Sequence, residues 1–289
     1  MEVPFPELTD LLLAPFSQTA RVLPFLFLGG SALRLQHLYL VGIPFPGLRK
    51  LLLSATHLTT LYLVDIPHSG YLSPEAMVAA LSTLNSLEEL WYKFQSPRYH
   101  PDRRLLPQTR FFHPALTEFQ FKGAGDYLED LVARIGAPRQ ARLCALEITV
   151  FNKIIFDMPQ FIQVICRTRI LKVHEEACVI FEDGASSVIF SSQTSDYRHF
   201  EVEIPFSDLD WQVSSLEQVF TSCLPHFFTL EGLSIDVPKG WEPDWQDNVE
   251  NTLWLELSQP FTSVKNLFLS KEIAQLLCLP CKSSLKAEG

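Results

Sequence analysis

The chain has 289 residues, 47% of them hydrophobic, and a formal net charge of −10 from 23 basic and 33 acidic side chains. That hydrophobic content can build a buried core and excludes wholesale disorder. The acidic balance argues against binding to nucleic-acid backbones and anionic membranes, and no apolar run approaches the roughly 18 residues of a membrane-spanning helix.

The first distinctive segment is Arg21-Val-Leu-Pro-Phe-Leu-Phe-Leu-Gly-Gly-Ser-Ala32. It has the outline of a secretory signal, but the residues before it carry net negative charge, whereas a signal opens with a short positive stretch. The expectation is a buried segment ending in a Gly-Gly turn, in an intracellular chain (cytoplasmic or nuclear). Its six cysteines, Cys144, Cys166, Cys178, Cys223, Cys278 and Cys281, are then mostly unbridged.

An internal repeat follows. Leu38-Tyr-Leu-Val-Gly-Ile-Pro-Phe-Pro-Gly-Leu48 aligns with Leu61-Tyr-Leu-Val-Asp-Ile-Pro-His-Ser-Gly-Tyr71, with seven of eleven positions identical. Each match has a leucine three residues upstream, Leu35 or Leu58, giving L-x-x-L-x-L. The pattern returns at Leu87/Leu90/Tyr92, Leu116/Phe119/Phe121, Leu143/Leu146/Ile148, Leu230/Leu233/Ile235 and Val264/Leu267/Leu269. The central positions 38, 61, 90, 119 and 146 are 23, 29, 29 and 27 residues apart, the spacing of leucine-rich repeats. A strand alternates its side chains, so the last two leucines of each copy face one way. One copy cannot bury them, whereas stacked copies can.

The segments between the patterns read as covering helices: residues 46–54, then 74–84 with Ser73 as N-cap and Pro74 in the first turn, then 126–135 stopped by Gly136. From 150 to 230 the repeat is less regular. Cys178–Phe181, Ser187–Phe190 and Phe200–Ile204 read as strands, the first a repeat strand and the others an antiparallel extension, and 210–220 as the next helix. The expected fold is an α/β leucine-rich repeat solenoid of seven to nine repeats over residues 1–275, with a curved parallel sheet inside and helices outside. The antiparallel extension lies near 178–204, and 276–289 form a non-repeat tail. Neither end shows an evident polar cap, so the end repeats are expected to fray or associate.

The phrases Phe45-Pro-Gly-Leu-Arg-Lys-Leu-Leu-Leu-Ser-Ala-Thr-His-Leu58, Asp65-Ile-Pro-His-Ser-Gly-Tyr-Leu-Ser-Pro-Glu-Ala-Met77, Glu129–Arg134, Asp210–Gln218 and Glu250–Leu257 resemble the leucine-rich region of the F-box-like protein families of mushroom-forming fungi. The resemblance covers roughly residues 5 to 275. It implies the substrate-recognition part of a ubiquitin-ligase receptor, in which an N-terminal F-box docks onto the ligase scaffold. Here Met1-Glu-Val-Pro-Phe-Pro-Glu-Leu8 already reads as repeat, so the ligase scaffold is a partner only if an F-box exists upstream of this chain.

Signals of chemistry each have a plainer reading. Gly123-Ala-Gly125 stands between a strand and a helix, as a dinucleotide fingerprint requires, but Leu128 occupies the third glycine position and Asp126 would repel a pyrophosphate. His174-Glu-Glu-Ala-Cys178 is not a zinc-protease motif, and Cys278-Leu-Pro-Cys281 follows an apolar stretch rather than opening a helix. No nucleophile elbow occurs. The expectation is a non-enzyme with no cofactor and no metal, binding an unidentified protein through repeat surfaces. Two alternatives stay open: a truncated or degenerate paralogue without a partner, and an enzyme using the Gly123–Gly125 turn or the Cys278/Cys281 pair.

Alternation also predicts the binding face. The third, fifth and seventh positions of the first four copies point away from the core: His37, Tyr39 and Val41; Thr60, Tyr62 and Val64; Glu89, Trp91 and Lys93; Glu118, Gln120 and Lys122. Tyr39, Tyr62 and Trp91 should form an aromatic row on the concave face, bordered by Lys93 and Lys122. The one basic island, with Arg98, Arg103 and Arg104 in the segment running to Arg110, is expected nearby as a loop for an acidic peptide or phosphate. The acidic stretch Trp241-Glu-Pro-Asp-Trp245 reads as a loop with at least one indole buried.

Overall fold

A computed structural model describes residues 5–15, 22–96, 111–112, 115–136, 143–151, 158–167, 175–192, 195–205, 209–223, 230–237, 261 and 263–278. The basic island with Arg98, Arg103 and Arg104, His174, the Trp241/Trp245 stretch, Glu250–Leu257 and the 279–289 tail with Cys281 lie outside the described residues. The chain is α/β and divides into two compact units. The first comprises 1–151 with 158–170, the second 152–157 with 171–289.

The first unit is built on parallel strands β1 (Asp10–Leu13), β2 (His37–Val41), β3 (Thr60–Ile66), β4 (Glu89–Phe94), β6 (Glu118–Ala124) and β8 (Ala145–Phe151), adjacent in that order. A two-residue pair, β5 (Phe111–Phe112) with β7 (Ile135–Gly136), stands apart. The repeat sets the register. Leu38, Leu61, Leu90, Phe119 and Leu146 are side-by-side partners across five strands. Leu11 pairs with Leu38 from the other side, so Leu8-Thr-Asp-Leu11-Leu-Leu13 is a further copy of the pattern.

Helices α1 (Leu48–Ser54), α2 (Pro74–Leu81), α3 (Gly125–Arg134) and α4 (Pro159–Arg167) stand in sequence, each beside the next. Ser73 caps α2 as its sequence implies, its Oγ accepting from the Ala76 N–H at 3.3 Å, with Pro74 in the first turn. Glu129 of α3 does the same across helices, its carboxylate accepting the N–H groups of Phe161 and Gln160 at 2.8 and 3.0 Å. The inward leucines of β2, β3, β4 and β8 are buried, as are Leu51, Leu52, Met77, Leu128 and Leu131 of the helices, whereas Leu11 and Leu13 of β1 are half-buried. Aromatic rings thicken this core around β4 and β6, where Tyr92, Phe94, Phe121 and Tyr127 pack ring on ring with centroids 4.7 to 6.4 Å apart.

The left-handed turn after β2 falls on Gly42, at φ 62°, and the same repeat position in β3 holds Asp65 at φ 52°. The expectation of a buried segment before β2 holds only from Phe27 onward. Phe27, Leu28, Gly30 and Ala32 are buried and the chain reverses through positive φ at Leu28, Gly29 and Gly30, whereas Val22, Phe25 and Leu26 are exposed.

In the second unit β9 (Glu176–Glu182), β10 (Ala185–Ser192) and β11 (Ser195–Ile204) form an antiparallel meander, entered by a two-residue Asp183-Gly184 turn with Gly184 at φ 86°. β12 (Gly232–Asp236) runs parallel to β9, and β13 (Asn266–Leu269) parallel to β12, with Leu267 opposite Leu233. Helix α5 (Leu209–Cys223) packs on β10 and β11, and α6 (Lys271–Cys278) follows β13. Phe190 stacks on Phe200 at 5.5 Å, and Phe220 meets both Phe190 and Phe261 edge-on. No helix among the described residues is long and apolar enough to cross a membrane.

Candidate interaction face

Side chains that alternate with the buried leucines emerge on the opposite face of β1–β8. The fifth repeat positions form one row in register: Leu12, Tyr39, Tyr62, Trp91, Gln120 and Glu147. Within it Tyr39 meets Tyr62 edge-on at 4.8 Å, and Tyr62 stacks on Trp91 at 4.1 Å with their planes 11° apart. All three rings are half-buried. Parallel strands lie about 4.8 Å apart, so adjacent rings at one register position have little choice but to stack.

The third positions form a second row: Asp10, His37, Thr60, Glu89 and Glu118. Its carboxylates hold the rings. Trp91 Nε1 donates to Glu118 Oε1 at 2.7 Å, Gln120 Nε2 donates to the same oxygen at 3.0 Å, and the Tyr62 hydroxyl donates to Glu89. Burial, followed by that bond to a carboxylate, pushes the Tyr62 phenol well above its ordinary pKa. Asp10 lies 2.6 Å from His37 Nδ1; the Thr9 hydroxyl and then His37 hold its carboxyl below the usual range.

The seventh positions supply Lys93 and Lys122, which are register partners. Lys93 Nζ lies 4.7 Å from the Trp91 ring and Lys122 Nζ 5.4 Å from that of Phe151, both within cation–π range. The face thus has an acidic border, a central ring ridge and a basic border at β4 and β6.

Tyr39, Tyr62, Trp91, Lys93 and Lys122 therefore come together as their spacing implies. Gln120 does not project freely: it is 5% exposed, and its Oε1 has no hydrogen-bond partner. Thr60 is likewise buried. The roles of Glu89 and Glu118 as ring anchors escape the sequence reading. Their outward position is legible from alternation, but the donor that each one meets becomes evident only once the register places two strands side by side. Leu12 escapes because Leu8/Leu11/Leu13 stands outside the seven copies read from the sequence.

Gly123, one residue before the end of β6, lies against two rings; a Cβ there would lie 2.7 Å from Phe121 Cζ and 2.7 Å from Phe94 Cδ2. Cys278 closes α6 rather than opening a helix. Cys178 is half-buried, and burial raises its thiol pKa. Among the described residues no group of three or more His, Cys, Asp or Glu side chains is placed to hold a metal ion. No protein-family model, curated protein or solved structure matches this chain.

Proposed function

We propose that this chain is a non-catalytic protein-binding module, a leucine-rich repeat solenoid that takes its partner on the ridge formed by Tyr39, Tyr62 and Trp91. The supporting observation is the ridge itself: three rings on successive strands, Tyr62 and Trp91 stacked and each held by a carboxylate and Tyr39 set edge-on against Tyr62, on the face opposite the buried leucines. Rings already held in place lose little further freedom on binding, and such aromatic anchors dominate protein interfaces. The solenoid reading rests on the in-register leucines and on pairing between successive copies of the pattern. With the resemblance to the fungal F-box-like families, the module is the substrate-recognition part of a ligase receptor, and the ligase scaffold joins only through an F-box upstream of this chain.

The experiment selects peptides and small domains from a display library on the wild-type chain and measures their binding to Trp91→Ala and Tyr62→Ala. Each variant is expected to weaken the selected binders by at least ~30-fold, the effect of a hot-spot ring worth ~2 kcal/mol. Binders indifferent to both variants would overturn the assignment. If both variants unfold at much lower denaturant, the ridge is core rather than binding surface.

A further inference from the structure

Two strands carry exposed large apolar side chains. Leu12, in the middle of β1, is 69% exposed, and Phe5 shortly before that strand is exposed too. In the second unit Leu267 and Phe268 of β13 are 56% and 62% exposed. Among the described residues β1 has one strand neighbour, β2, and β13 has one, β12. Each is an edge that presents backbone N–H and C=O groups. Neither Asp10-Leu-Leu-Leu13 nor Asn266-Leu-Phe-Leu269 contains the proline or lysine that commonly blunts such an edge.

The two edges also fit each other. Both units use one joint between parallel strands: the carbonyl just before a strand accepts two successive N–H groups from the next. Thr9 O takes Gln36 and His37, Gln36 O takes Thr59 and Thr60, and Glu231 O takes Lys265 and Asn266. By repeat position, Lys265 stands before β13 as Thr9 stands before β1. Its carbonyl is the acceptor end of this series, and the N–H groups of Thr9 and Asp10 occupy the donor positions of Lys265 and Asn266.

We propose that the partner of these edges is a second copy of this chain. β13 of one molecule pairs in parallel with β1 of the next, setting Leu267 beside Leu11, Phe268 beside Leu12 and Leu269 beside Leu13. This is the register that β12–β13 and β1–β2 already use. Phe268 then covers Leu12 on the ridge face and removes the most exposed leucine of the first unit from water. Because two different edges meet, the contact is heterologous, and assemblies larger than a pair, open or closed as a ring, can form through it.

Sedimentation velocity over a concentration series tests this on the full chain, on Leu12→Lys, on Phe268→Lys and on an equimolar mixture of the two variants. Leu12→Lys keeps an intact β13 and Phe268→Lys an intact β1. The wild type is expected to form species that grow in mass with concentration. Each variant alone is expected to be monomeric, and the mixture to give a heterodimer and nothing larger. A wild type that stays monomeric, a single variant that still associates, or a mixture that stays monomeric overturns the proposal. Hydrogen exchange of the wild type supplies a second readout in case a variant fails to fold. Protection of the β1 and β13 amides is expected to rise with concentration, and unchanged protection overturns the proposal.

Discussion

Tyr92 on β4 and Tyr127 on α3 meet hydroxyl to hydroxyl at 2.9 Å inside the first unit. The Leu72 carbonyl oxygen lies 3.0 Å from the Tyr127 hydroxyl and 3.4 Å from that of Tyr92. Whichever phenol donates to the other, the second proton has Leu72 as its acceptor, so two buried hydroxyls and one carbonyl are satisfied together. Tyr127→Phe removes the shorter route to Leu72 and one member of the pair. A loss of about 1 kcal/mol is expected, read as a lower midpoint in urea denaturation with an unchanged slope.

The same pair makes the protein sensitive to alkali. Burial, the largest influence on each, raises both phenols above their ordinary pKa of about 10. Above that pH the unfolded chain releases these protons while the folded chain keeps them. The stabilisation is therefore complete below about pH 10 and is lost as pH climbs toward the folded-state values. The urea midpoint should hold steady from about pH 8 to about pH 9.5 and then fall. In the Tyr92→Phe/Tyr127→Phe double variant the fall should be shallower; an identical fall would assign the alkaline loss to other groups.

Gly123→Ala puts a methyl group against Phe94 and Phe121, both buried and ringed by other aromatics. Overpacking of this kind costs roughly 1–3 kcal/mol. Phe94→Leu opens space at the same spot, so the double variant should lose less than the sum of the two single losses in a denaturation cycle.

At Asp65 the chain adopts a left-handed conformation that its repeat counterpart Gly42 reaches without a Cβ. Asp65→Gly is expected to raise stability by about 1 kcal/mol or less, and Gly42→Ala to lower it by about 1 kcal/mol or more. Thermal melts of the two variants should shift in opposite directions.

Strands β2, β3, β4, β6 and β8 were legible because one physical demand, burying the fourth and sixth positions, repeats with little variation; the two-residue pair β5 and β7 carries no such pattern, and Ile135, expected in a helix, lies in β7. The same demand made Pro74–Leu81 readable, since Ser73 and Pro74 mark its start with local chemistry. The antiparallel strands of the second unit were legible for a different reason: β-branched and aromatic runs separated by Asp183-Gly184 need no repeat to be recognised. β1 escapes although Leu8, Leu11 and Leu13 carry the pattern, because it stands 27 residues before the next copy with no readable covering helix between them. In the candidate face, the row of Tyr39, Tyr62 and Trp91 follows from spacing alone. The pairing of Glu118 with Trp91 and the burial of Gln120 depend on rotamers and on neighbouring strands, which no single-strand pattern encodes.

The even spacing of the paired strands bears on how quickly this sheet can assemble. Joining β2 to β3, β3 to β4, β4 to β6 and β6 to β8 brings together residues 23 to 29 positions apart. Loop-closure entropy grows only with the logarithm of length, so these steps face nearly equal barriers and none waits on a distant segment. A parallel sheet usually folds slowly because its contacts are remote in sequence. Here each strand can be added to a neighbour as soon as that neighbour has formed, and growth within the first unit can begin at any adjacent pair.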